Sequence, residues 1–179
     1  WRSTARHGSL VVREFEQPRR PLILLRLDNA QSFGTGRQST LEVAIKLAAT
    51  LGAWALGAGY SVTLADRERL THCGTPMELR RRLAHLKIAP VVGWPSASEA
   101  PGAEVLLLTG GTDLGTAAGR RNVPLVTVAP ALFPGQPPID PGSADLVIRP
   151  ASDIAAAAGQ VAALVAGLLA GSRAMGMPR

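Results

Sequence analysis

The sequence predicts an α/β fold, doubly wound, with a mainly parallel central sheet and helices on both faces. Three observations predict it. Apolar runs of strand length alternate with stretches at helical spacing from Leu22 to Gly171, the pattern of βαβ units. Leu22 to Asp28 is apolar at nearly every position, as in a central strand covered on both faces. Glycine or proline marks most junctions between these stretches. A chain of 179 residues is large enough for one core that buries about 70% of the unfolded surface. The domain is read as residues 21–172. Residues 1–20 are a strand and linker continuing from a missing upstream region, because Trp1 stands where a translated chain has Met, and 173–179 are a tail.

Each element follows from its residues. Leu10 to Glu16 reads as a strand, and Pro18 to Pro21 separates it from the strand Leu22 to Asp28. In Thr40 to Leu56 the residues Leu41, Ile45, Leu47, Ala48, Leu51 and Ala55 fall near helical spacing, and Gly57 with Gly59 closes the helix. Tyr60 to Ala65 is a strand. Pro76 to Lys87 is a helix with Pro76 near N1, Leu79, Leu83 and Leu86 on one side and Arg80, Arg81 and Arg82 on a solvated face. Val105 to Thr109 is a strand, Gly110 to Gly119 a glycine-rich turn into a short helix, and Pro124 to Val128 another strand. After the Pro- and Gly-rich stretch 129–142 comes the strand Leu146 to Arg149. Ser152 or Asp153 then caps a helix to about Gly171. That helix has only Gln160 as a polar residue. Its larger residues Ile154, Val161, Leu164, Val165, Leu168 and Leu169 make a stripe for packing on the sheet, so a core position is favoured over a membrane span.

Composition limits the function. The net charge is +6, but the basic residues are 17 Arg against Lys46 and Lys87, amid Ala and Gly runs. Such usage reflects a GC-rich coding bias, and with 4% aromatic residues a nucleic-acid partner is not expected. Cys73 is the only cysteine; it excludes an internal disulfide and reads as a small buried apolar residue. No nucleophile elbow is present, and His7, His72 and His85 are dispersed in sequence. Trp54 reads as core, and Trp94 as a contact site if exposed.

Trp1-Arg2-Ser3-Thr4-Ala5-Arg6, followed by Gly8-Ser9-Leu10-Val11-Val12-Arg13-Glu14-Phe15-Glu16, resembles the signature of the bacterial "domain of unknown function fifty-eight" family. The likeness runs from residue 1 to about 110, and Glu42 is similar to an acidic residue usual in that family's first helix. It implies a von Willebrand factor A-like, Rossmann-like domain that binds a protein partner and is not an enzyme. It also implies an N-terminal membrane hairpin, a place at the cytoplasmic face of the cell membrane, and work with a MoxR-type AAA ATPase in assembling complexes.

The resemblance further implies a divalent-ion site at the C-terminal edge of the sheet, built from an Asp-x-Ser-x-Ser motif, a Thr from a second loop and an Asp from a third. Such an ion needs about six oxygens. The motif here is Asp28-Asn29-Ala30-Gln31-Ser32, with Ala for the first Ser; Thr75 is similar to the second-loop ligand, and Asp113 substitutes for a carboxylate missing from Thr109-Gly110-Gly111. A depleted metal site at Asp28, Ser32, Thr75 and Asp113 is the candidate. No cofactor is expected beyond weak Mg²⁺ or Mn²⁺. Equally, Asp28 can accept hydrogen bonds from loop N–H groups without a metal.

The rival reading is a Rossmann-type nucleotide-binding enzyme, on Gly34-Thr35-Gly36 after the first core strand and Asp66 after the next. Against it, the glycines do not directly follow the strand, Asp28 there would repel phosphate, and Asp66 reads as a turn residue.

Overall fold

The computed structural model of the chain describes residues 20–89, 93–95, 102–110, 125–137, 144–149 and 152–175. In chain order these form β1 (Leu22–Leu27), a 3-10 turn (Gly36–Gln38), α1 (Thr40–Gly57), β2 (Ser61–Ala65), β3 (Leu70–Cys73), α2 (Pro76–Ala84), β4 (Ala103–Leu107), β5 (Leu125–Pro130), β6 (Leu146–Ile148) and α3 (Ile154–Met175). The strands make one six-stranded sheet in the order β3-β2-β1-β4-β5-β6. All neighbours are parallel except β2 and β3. The apolar run of β1 is explained by its place between β2 and β4.

Local chemistry sets the element ends. Ser39 caps α1 by accepting the Glu42 N–H, which satisfies one of the donors a helix start leaves without a partner. At the other end Gly59, with φ of +83°, donates to Leu56, and Tyr60 donates to Ala55. This is the Schellman arrangement, which needs a left-handed residue at Gly59. The Trp54 and Tyr60 rings then meet across the turn, 5.8 Å between centroids, and lead the chain into β2. Thr75 and Glu78 form a capping box at the start of α2, with Pro76 in its first turn. Asp153 accepts from the Ala155 N–H at the start of α3.

One large apolar core lies between the sheet and all three helices. Ile23, Leu25 and Leu27 of β1 meet Leu47 and Leu51 of α1, Leu79 and Leu83 of α2, and Val161 and Val165 of α3. Gly52 lets α2 come close to α1, since a Cβ there would collide with Leu79. The strand residues of opposite parity face the other way. Because Leu24 pairs with Glu104 and Arg26 with Leu106, Arg26, Glu104 and Leu106 share that second face, where Leu106, Leu108 and Ala129 pack with Trp94 and Ala144. The expectation of helices on both faces is met on one face by the described residues. Their three α-helices share one face, and on the second it is the connection after α2 that brings Trp94 onto the sheet.

Other expectations need adjustment. The strand expected over residues 10–16 lies outside the described residues, as does the turn and helix expected after Gly110. The strand β3 had no counterpart in the sequence reading. The final helix runs to Met175, past the expected boundary at 172. Its stripe is built from smaller residues than expected: Ala157, Ala158, Val161, Ala162, Val165 and Leu169 are buried, whereas Leu164 and Leu168 are exposed. Both Thr40–Gly57 and Ile154–Gly171 are long and apolar enough to cross a membrane by length and composition. Each also places its buried residues in the core beneath the sheet.

Candidate functional site

In an open sheet of order 3-2-1-4-5-6 the chain reverses its direction of travel between β1 and β4, and the crevice outside their carboxyl ends is where such folds hold ligands. Asp28 and Asn29 follow β1 at this edge, Asp66 and Arg67 follow β2, and Thr109 and Gly110 follow β4. The connection from β1 to α1 is pinned from below. The Asp28 N–H donates to the Leu107 carbonyl at 2.8 Å. The Thr109 hydroxyl lies 2.7 Å from the carbonyl oxygens of both Asp28 and Gln31. Thr109 is fully buried, so this hydroxyl supplies polar contacts that water does not reach.

The carboxylate of Asp28 is committed to its own chain. Its Oδ1 accepts from the Arg67 Nε at 2.9 Å and from the Ala30 N–H at 3.1 Å. Both side chains are almost wholly buried, 2% and 4% exposed respectively. Arg67 is held elsewhere as well: its N–H donates to Asn29 Oδ1, its Nη1 donates to the Gly93 carbonyl, and its guanidinium lies 4.3 Å from the centre of the Trp94 ring. Asn29 completes the brace by donating to the Lys87 carbonyl and accepting the Ala89 N–H on its own carbonyl. On the same face Arg26 pairs with Glu104 and also lies over Trp94, at 5.3 Å. One indole therefore covers two guanidinium groups, each with its own carboxylate. In low dielectric this is the arrangement that keeps buried charges tolerable.

Among the described candidate donors, Asp28 and Thr75 do not meet. β3 runs antiparallel to β2, with Cys73 opposite Val62 and Leu70 opposite Ala65. The chain therefore leaves β3 at the amino end of β2, and Thr75 lies at the opposite edge of the sheet from Asp28, on the order of 16 Å away along the strands. Its hydroxyl accepts the Glu78 N–H as the helix cap. Ser32 is half-buried in the β1–α1 connection, and Asp113 lies outside the described residues. Among the described residues no group of three or more His, Cys, Asp or Glu side chains is placed to share a metal. With a guanidinium already seated on Asp28 and Thr75 at the far edge, the described donors do not fit a divalent ion.

The nucleotide-type residues are likewise engaged. Asp66 accepts from the Glu68 and Arg69 N–H groups and pairs with Arg82, the turn role expected of it. Gly34 donates to the Pro134 carbonyl. The sequence reading missed Arg67 and Asn29, and it also missed Trp94 as a cover over buried charge. Their one signal is Asp66-Arg67-Glu68-Arg69, a charged run directly after a buried strand. Cys73 is buried, as expected, and desolvation pushes its thiol above the ordinary value of 9.0, with the nearby Glu78 carboxylate adding to the rise.

The family described as "Protein of unknown function DUF58" matches residues 1–122. The chain belongs to the DUF58 family. No curated protein matches this DUF58 chain. Among solved structures, it is similar to the crystal structure of an aerotolerance-related membrane protein from Bacteroides fragilis NCTC 9343 carrying multiple mutations to serines. That likeness is at 11% identity, with 82% of this chain and 99% of the other covered and a TM-score of 0.47.

Proposed function

We propose that this DUF58 domain is a non-enzymatic protein-interaction module of the von Willebrand factor A-like kind, whose binding edge is the switch-point edge around Asp28. The observation that carries the reading is the closed network of Asp28, Arg67 and Asn29. A general base or a metal ligand needs a carboxylate open to substrate or ion, whereas this one is spent on holding the edge rigid. A rigid edge is what a recognition surface requires. The sheet order, with its switch point between β1 and β4, supports the same location. Recognition at this edge needs no ion, and the partner is a MoxR-type AAA ATPase at the cytoplasmic face of the membrane.

Biolayer interferometry between the domain and the nucleotide-free ATPase tests this, with and without EDTA. The expected result is binding indifferent to EDTA and weakened at least tenfold, about 1.4 kcal/mol, by Gln31→Glu, which puts a carboxylate on the exposed lip of the edge. Binding that needs Mg²⁺ would contradict the ion-free edge. A rise of several degrees in the unfolding midpoint with NAD would favour the nucleotide-enzyme reading instead.

A further inference from the structure

We propose that the carboxyl-terminal edge of the sheet docks an acidic protein surface that carries an apolar pocket, with Leu132 as the side chain that fills it. This rests on the interaction reading above and adds the chemistry of the partner. Leu132 is 77% exposed and has φ of +66°, the left-handed region that bulky L-residues avoid. A glycine or asparagine would suit such a turn better. The conformation persists because both flanks are fixed. The Ala131 N–H donates to the Ile148 carbonyl at 2.8 Å, Phe133 is buried, Gln136 Nε2 donates to the Pro130 carbonyl at 2.9 Å, and the Gly34 N–H ties Pro134 to the β1–α1 connection at 3.1 Å. An exposed leucine held in strain by a rigid turn contributes neither core packing nor turn chemistry. Strain of this kind gathers at functional sites, and an apolar anchor presented on a fixed turn is how a few residues come to dominate an interface.

The same edge carries a second exposed apolar side chain. Ile88, 55% exposed, immediately precedes Ala89, whose N–H is bonded to Asn29. The charge along this edge sets the partner's sign. Among the described residues, Arg37, Arg69, Lys87 and Arg149 are exposed where the chain turns at this edge. Among the same described residues the exposed acids there are Glu68 and Asp153, and Asp153 is occupied in capping α3. Asp28 and Asp66 are neutralised by Arg67 and Arg82. A basic edge that bears apolar anchors is complementary to an acidic surface that carries a pocket.

The test is photo-crosslinking of the full chain in its host cell, with a photoreactive residue replacing exposed Pro134 beside Leu132, or Met77 at the opposite edge as control. The expected result is a discrete protein adduct from position 134 and none from 77. Mass spectrometry should find Asp and Glu clustered around apolar residues in the captured peptide. Adduct yield should fall at least fivefold with Leu132→Gly and with the pair Arg37→Glu and Arg149→Glu. The purified Leu132→Gly chain should unfold at the same or a higher temperature. No adduct at 134, an adduct indifferent to Leu132→Gly, a lipid or basic-protein adduct, or a large fall in melting temperature for Leu132→Gly overturns the proposal. Capture of an acidic protein other than the ATPase upholds it and removes the ATPase as partner. ATPase captured from position 77 alone removes the edge and keeps the partnership.

Discussion

Replacing Arg67 by Met keeps most of the side chain's length while deleting its charge, and so isolates what the guanidinium does for Asp28. In the variant the carboxylate stays buried with only the Ala30 N–H from its present pair of donors. Removing one partner of a buried ion pair costs about 3–5 kcal/mol, and loss of the contact to Trp94 adds about 0.5–2 kcal/mol, part of it already in the first figure. We expect a net loss of about 4 kcal/mol, or about 12 °C in the unfolding midpoint for a domain of this size. Asp28→Asn retains the shape of the acceptor and leaves Arg67 its contacts to Gly93 and Trp94, so about 3 kcal/mol is expected. The double variant should lose about 4–5 kcal/mol and not the sum, giving a coupling of about 2–3 kcal/mol. Urea unfolding followed by circular dichroism measures all four proteins, with the slope held constant as the check on two-state behaviour. Additive losses, or a loss below about 1 kcal/mol for Arg67→Met, would refute the argument, because the pair would then behave like a solvated surface bridge.

Four further outcomes follow from the structure. Thr109→Val removes the hydroxyl that reaches the carbonyls of Asp28 and Gln31, and should cost about 1–3 kcal/mol in chemical denaturation. Thr75→Ala breaks the capping box of α2 and should cost about 1 kcal/mol without changing partner affinity, since Thr75 lies at the far edge; a tenfold affinity loss would return Thr75 to the binding site. Gly59→Ala places a Cβ at φ of +83° and should cost about 1 kcal/mol, read as a lower melting temperature. For Cys73, whose folded thiol titrates above the ordinary value of 9.0, the folded chain holds a proton that the unfolded chain releases. The contribution is complete below about pH 9 and is lost as pH rises through the folded value. Stability should therefore fall more steeply above pH 9 in the native chain than in Cys73→Ala, as measured by urea titration across pH 8–10.

Much of the fold was legible because its signals are local. The Thr40 helix, its closing glycines and the apolar β1 run each depend on neighbours in sequence, and the structure places them where the periodicity does. What failed depends on direction. Leu70 to Cys73 is four residues long and carries Thr and His, too short and too polar to register as a strand. Missing it hid the reversal of the chain, and that reversal decides at which edge Thr75 emerges. The same loss hid Arg67. Within Asp66-Arg67-Glu68-Arg69 nothing distinguishes the buried arginine from the exposed one, and only the parallel pairing of β1 and β2 brings residues 39 positions apart into contact. The stripe on α3 was misdrawn for a related reason. Its close approach to α1 favours Ala and Val on the inner face and leaves Leu164 and Leu168 outside.

The seat of Arg67 on Asp28 also bears on how this edge relates to its surroundings. A dissolved ion occupies its site in proportion to its concentration, so a surface completed by one reports the composition of the medium. A side chain bound to the same polymer has a fixed local supply and is neither diluted nor sequestered. An edge completed by its own guanidinium therefore stands ready whenever the chain is folded. Under the interaction reading proposed above, completion of this edge is set by folding and not by the supply of a divalent ion.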